Sequence, residues 1–167
     1  TTSTQYKNNS LKNTNILYID KTLLTPKILL HYLNTWEAKT TFFKNYNETL
    51  NNIEKNQHVF SIVIINSVQL DSDLKDLISS IKKILKNKNP QFIVITTIKE
   101  RGDTKKYSDM GFNTQLFLPL KKDELYKTIS LSLKMNSEDS KKDITTKHTL
   151  RDDTLPLKAK ILVAEDN

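Results

Sequence analysis

Phe60-Ser61-Ile62-Val63-Ile64-Ile65-Asn66-Ser67 decides how this chain is read. From Phe60 to Ile65 it is apolar except for Ser61 and largely β-branched, the composition of a strand covered on both faces at the centre of a parallel sheet. Such a strand needs a helical layer on each side, and the flanking sequence supplies them. Working back toward the N-terminus, Ala38 to Phe43 and Ile16 to Ile19 read as two more strands. Toward the C-terminus, Phe92-Ile93-Val94-Ile95, which ends at Thr96-Thr97, and Thr114 to Leu118 read as the fourth and fifth.

Helical spacing fills the intervals. Thr22 to Trp36 carries Leu23, Leu24, Ile28, Leu29, Leu30 and Leu33, with Pro26 suited to a first turn. Asn45 to Asn56 places Tyr46, Leu50 and Ile53 on one side, and a helix capped by Asp71 or Ser72 runs to about Lys88 with a stripe from Leu74 to Leu85. Pro90 separates that helix from strand four. A short helix from Thr104 to Met110 stops at Gly111, a residue suited to positive φ, and Lys122 to Met135 buries Leu125, Ile129 and Leu133. Five strand–helix units joined by right-handed crossovers predict an α/β, doubly wound, three-layer fold with a parallel five-stranded sheet of order 2-1-3-4-5. The ends of strands one, three, four and five then surround one crevice.

The 167 residues fit one ordinary domain with tails. The expected divisions are a polar linker over 1–14, a domain over 15–135, a polar linker over 136–157, and the first strand of a second domain over 158–167, where Ile161-Leu162-Val163-Ala164 runs into Glu165-Asp166. The formal charge of +7 comes almost wholly from lysine, with Arg101 and Arg151 the only arginines. The arginine clusters that grip phosphates and bases are missing, and no nucleic-acid partner is expected. The chain has no cysteine, hence no thiol chemistry, and a cytoplasmic location is the expectation. No apolar run nears the roughly 18–20 residues that cross a bilayer, so no membrane contact is expected of this chain, with inner-membrane anchoring of a longer parent left open. With Gly102 and Gly111 the only glycines, a phosphate-cradling glycine loop is excluded, and no cofactor is expected.

Ile95-Thr96-Thr97-Ile98-Lys99-Glu100-Arg101-Gly102-Asp103, then Met110-Gly111-Phe112, then Leu116-Phe117-Leu118-Pro119-Leu120-Lys121, resembles the fourth and fifth strand segments of receiver domains in hybrid sensor histidine kinases. The segment at 161–167 likewise looks like the opening of a second, intact receiver. The resemblance implies the flavodoxin-like receiver fold. It also implies an aspartate at the end of strand three that takes a phosphoryl group, an acidic pair after strand one that holds magnesium, a hydroxyl after strand four and a lysine after strand five.

At the matching positions this chain has Asp20-Lys21 for the acidic pair, Asn66 for the phosphoacceptor, Thr96 for the hydroxyl and Leu118 for the lysine, just before Pro119, where receivers place a cis bond. Gln115 stands where receivers commonly carry a mobile aromatic side chain. Lys21, Asn66 and Leu118 are three separate losses, so the expectation is a pseudo-receiver that binds no metal in this domain, with Glu165 and Asp166 serving the second receiver. Lys21 is expected to pair with Asp20 or to bond Asn66.

The resemblance further implies intramolecular docking on the kinase core and the second receiver of the same polypeptide, with Tyr107, Phe112, Gln115, Phe117, Leu120 and Tyr126 as the candidate face. The alternative is a sensor whose emptied crevice binds a small effector such as a cyclic dinucleotide. His31, His58 and His148 lack companions at metal-ligand spacing and read as ordinary surface histidines. Arg101-Gly102-Asp103 reads as a helix entry with Asp103 as cap, and Arg151-Asp152-Asp153 as a solvated hinge.

Overall fold

A computed structural model describes residues 10–56, 59–68, 74–86, 88–98 and 102–137. The strands are β1 Asn15–Ile19, β2 Lys39–Phe43, β3 Ile62–Asn66, β4 Gln91–Thr96 and β5 Thr114–Phe117. The helices are α1 Thr25–Thr35, α2 Tyr46–Asn56, α3 Leu74–Ile84, α4 Thr104–Met110 and α5 Lys122–Ser137. All strand pairs are parallel and the order is β2-β1-β3-β4-β5, as the sequence predicts. β3 is buried at every position, which is what its unbroken apolar run requires of a central strand.

The pleat sorts the strand residues into two cores. Leu17, Ile19, Val63, Ile65 and Val94 pack under α2, α3 and α4 with Ile53, Leu77, Ile78 and Tyr107. Their neighbours Ile16, Tyr18, Ile62, Ile64, Ile93 and Ile95 pack under α1 and α5 with Leu29, Leu33, Leu125 and Ile129. Each fully buried side chain of this size contributes about 1.5–3 kcal/mol over leaving it in water, so both layers are needed to offset the entropy of ordering the chain.

Several expectations are corrected. Helix α1 begins at Thr25, not Thr22, and Leu23 and Leu24 are 78% and 71% exposed. The cause lies just upstream: the Asp20 carboxylate accepts the Thr22 N–H at 2.7 Å, an Asx turn that carries the chain away from the sheet before the helix starts. The core-facing stripe of α1 is Pro26, Leu29 and Leu33, and Ile28 is also exposed. Helix α3 ends at Ile84. The Lys88 N–H folds back to the Leu85 carbonyl and Asn89 takes a positive φ, so the chain turns before Pro90.

The expected linker over 1–14 reaches into the domain. Leu11 is buried beside Trp36 and donates its N–H to the Trp36 carbonyl at 2.7 Å, while Thr14 is buried and accepts from Lys39 N–H. A lone leucine in a polar stretch was the available signal. Asp103 occupies the cap position of α4 but makes no side-chain capping bond. Gly111 ends that helix with φ +98°, and the Leu118–Pro119 bond is cis. His31 is exposed on α1. His58, His148, Asp71, Ser72, Arg101, Arg151, Asp152, Asp153 and the segments over 138–157 and 158–167, with Glu165 and Asp166, lie outside the described residues.

Candidate functional site

The carboxyl ends of β1, β3 and β4 deliver Asp20, Asn66 and Thr96 to one edge of the sheet. All three are buried, Asp20 to 1% exposure. Parallel pairing of Ile19 with Ile65 puts the next residues, Asp20 and Asn66, side by side, and the Asn66 Nδ2 donates to Asp20 Oδ2 at 2.9 Å. A second donor to the same oxygen is the Tyr18 hydroxyl. Period-two alternation places Tyr18 on the face that carries Asp20, so strand geometry aims the phenol at the carboxylate two residues on. The Thr22 N–H takes Oδ1. The Asn66 side-chain oxygen, Oδ1, accepts from the Val68 N–H at 3.0 Å, which fixes the side-chain amide with its NH₂ toward Asp20.

Burial, and then the bond to Asp20, hold the Tyr18 phenol well above its ordinary range, so it is a hydrogen-bond donor at any ordinary pH. Sequence reading missed Tyr18. Its signal was the polar tip of an aromatic residue inside an otherwise apolar strand, on the pleat shared with an acid.

Lys21 behaves otherwise than expected. Its ammonium lies 4.5 Å from the centroid of the Tyr46 ring, turned toward α2, and Asp20 takes its bonds from Tyr18, Thr22 and Asn66 instead. Leu118 packs its side chain against the α1/α5 core, while its N–H donates to the Thr96 carbonyl at 2.8 Å. The edge of the sheet therefore receives no lysine charge from position 118.

The magnesium ion implied by the receiver resemblance does not fit these residues. A carboxylate offers about four lone-pair positions, and three of those on Asp20 are taken. The adjacent position is a cation, and Asn66 turns its NH₂ group to the carboxylate. Among the described residues no group of three histidine, cysteine or acidic side chains is placed to hold a metal ion.

Thr96 belongs to a second set of contacts on the other pleat. Its hydroxyl accepts from Gln115 Nε2 at 3.1 Å, and Gln115 Oε1 accepts from the Thr104 hydroxyl at 3.3 Å. The expected docking face is corrected in part. Tyr107, Phe112, Gln115 and Phe117 are 1–3% exposed and belong to the interior, so they are not presented to a partner in this conformation. Tyr107 and Phe112 meet edge to face at 5.9 Å. Leu120 and Tyr126 are half-buried, Tyr126 against Trp36 with ring centroids 5.2 Å apart. Among the described residues the exposed large apolar side chains lie elsewhere: Leu23 and Leu24 just before α1, Ile28 in its first turn, with Val59 and Ile98.

Solved structures share this architecture. A response regulator receiver domain protein from Clostridium thermocellum is 18% identical, with 74% of this chain and 97% of that one covered and a TM-score of 0.63. The receiver domain of a sensor histidine kinase from Pseudomonas aeruginosa, which has magnesium coordinated in its active-site cleft, is 15% identical over 72% of this chain and 98% of its own, with a TM-score of 0.62. The chemotaxis response regulator CheY4 of Vibrio cholerae is 15% identical over 72% and 98%, at 0.61. No protein-family model and no curated protein matches the sequence. The fold is the flavodoxin-like receiver fold. No helix among the described residues is long and apolar enough to cross a membrane.

Proposed function

We propose that the described domain is a pseudo-receiver of two-component signalling: it keeps the receiver fold, takes no phosphoryl group, and regulates or scaffolds the kinase core and a second receiver of a hybrid sensor histidine kinase by docking on them. The observation that carries this reading is the Asn66–Asp20 hydrogen bond. The carboxamide is a poor nucleophile because its nitrogen lone pair is drawn into the amide, it cannot form the acyl phosphate, and it uses the neighbouring carboxylate as its own acceptor. Phosphoryl transfer needs a metal and a cation to spread the charge of the transferring group, and Lys21 and Leu118 supply neither at this edge. In this reading the domain is no enzyme, and phosphorylation falls to the second receiver, whose metal-holding acidic pair would be Glu165 and Asp166.

The alternative, a small effector in the emptied crevice, has less support, because Tyr18, Thr22 and Asn66 already satisfy the carboxylate that such a ligand would need.

The test is chemical. The protein is incubated with acetyl phosphate and magnesium and its intact mass measured. An unchanged mass for residues 10–137 is expected, and a phosphoryl adduct mapped to Asp20, Asn66 or a neighbour of either overturns the reading. Docking is tested separately, by whether the purified domain alters autophosphorylation of the parent's kinase core.

A further inference from the structure

Gln115 sits second in β5, opposite Val94, with its carboxamide between two hydroxyls. One belongs to Thr96, the last residue of β4, and the other to Thr104, the first residue of α4. A primary amide donates and accepts at once, so it bridges both: Nε2 gives a proton to Thr96 and Oε1 receives one from Thr104. Thr96 and Gln115 are 0% and 1% exposed. Buried polar groups of this kind are costly to leave unpaired, so breaking the bridge without replacing it is unfavourable.

Helix α4 is only seven residues long and lacks a side-chain cap at Asp103. Short, uncapped helices are marginal alone, so its position depends on outside ties. Three stand out among the described residues. Thr104 is held by Gln115 at the start; Tyr107 is buried in the middle, with its hydroxyl 3.3 Å from Ser67 Oγ; and the Gly111 carbonyl at the end accepts from Lys82 Nζ at 3.1 Å. Of these ties, the Gln115 bridge alone joins the helix to the hydroxyl at the end of β4.

We propose that Gln115 is a latch that fixes α4 against the sheet in a single position, so that the surface around α4 is presented constitutively. This rests on the reading of the domain as a pseudo-receiver and specifies how it is regulated: by availability of its partner, without an internal switch. An aliphatic side chain at position 115 fills the same volume but offers neither bond, leaving the half-buried Thr104 hydroxyl without its tie to the sheet and the buried Thr96 hydroxyl with only its long contact to the Thr97 carbonyl.

Amide hydrogen exchange on the purified chain tests this with Gln115→Leu and Thr104→Val. Leucine removes both bonds; valine at Thr104 removes only the tie to α4 and keeps Gln115 bonded to Thr96. Both variants are expected to raise exchange of residues 104–110 by about tenfold or more while exchange in β1 and β3 changes much less. Exchange of 104–110 that rises no more than that of β1 and β3 overturns the latch, as does a Thr104→Val variant with wild-type protection of α4. If Gln115→Leu fails to fold, Thr104→Val decides alone. The acetyl phosphate measurement on the same wild-type protein keeps the two readings apart: an adduct there overturns the pseudo-receiver reading, whereas the exchange data bear on the latch only.

Discussion

The side-chain amide of Asn66 donates to the buried carboxylate of Asp20 across 46 residues of sequence, at the point where β1 and β3 end side by side. That bond, with those from Tyr18 and Thr22, closes the edge of the sheet with the chain's own atoms and makes Asp20 a structural acceptor.

Replacing Asn66 by aspartate disturbs this arrangement. It removes a donor from Asp20 and sets two carboxylates within hydrogen-bonding distance. Like charges raise the affinity of the new pair for a proton in the folded state, so the stability of the variant is greatest below the ordinary carboxylate range and is lost as pH rises through the raised value. A destabilisation of about 1–3 kcal/mol relative to wild type at pH 7 is expected, shrinking at pH 4–5. Urea unfolding at the two pH values measures it, and a variant as stable as wild type at pH 7 contradicts the account.

Tyr18→Phe keeps the ring in the α1/α5 core and removes one donor to Asp20. A loss of about 1–2 kcal/mol is expected at neutral pH. The alkaline limb carries a second signature. The Tyr18 phenol is raised in the folded state, so its contribution is fully present below the unfolded tyrosine value of about 10 and is lost progressively as pH climbs from there toward the higher folded value. The gap between wild type and Tyr18→Phe should narrow above pH 10 as the unfolded phenol ionises, and denaturant titrations from pH 8 to 11 would reveal it.

Lys21 engages the Tyr46 ring, a contact at the surface. Lys21→Ala should cost less than about 1 kcal/mol. Lys21→Asp recreates an acidic pair in the sequence, yet calorimetry should detect no tight magnesium binding, since the donors around Asp20 stay in place. Micromolar binding by this variant would mean that the closed edge opens readily.

A Cβ at Gly111 would lie 2.2 Å from Lys82 Nζ, and the backbone there has φ +98°. Gly111→Ala should destabilise by about 1–3 kcal/mol through backbone strain together with displacement of Lys82. Lys82→Ala combined with Gly111→Ala separates the two, because the double variant retains only the strain. Thermal melts of the three proteins supply the comparison.

Leu23 and Leu24 stand clear of the core, so a double change to serine should leave stability within about 0.5 kcal/mol of wild type. Their helical spacing with Leu30 places them in the same helix when the sequence is read alone. The spacing was real but the helix starts after them, a difference set by the Asp20–Thr22 turn.

Much of the fold was legible because its signals are local. The run from Phe60 to Ile65 allows only a strand covered twice, and Gly111 and Pro90 mark the ends of elements through backbone restrictions that any context must respect. The acidic, amide and hydroxyl positions at the strand ends were legible for the same reason, since a pleat of period two and a crossover of fixed hand leave few places for them. Three of the candidate docking aromatics are interior, because period alone does not say which side of a strand or helix meets the sheet: Tyr107, Phe112 and Phe117 turn inward.

The sequence by itself determined the order of strands, the two buried layers and the residue types at the edge of the sheet, all of which follow from hydrophobic periodicity and backbone sterics. Only the tertiary structure decided which groups satisfy one another there: that Tyr18 and Asn66 serve Asp20, that Lys21 turns to Tyr46, and that Gln115 joins Thr96 to Thr104. A hydrogen bond needs its partners within about 3 Å and suitably aligned, and residues far apart in sequence meet that condition only after the sheet has been assembled.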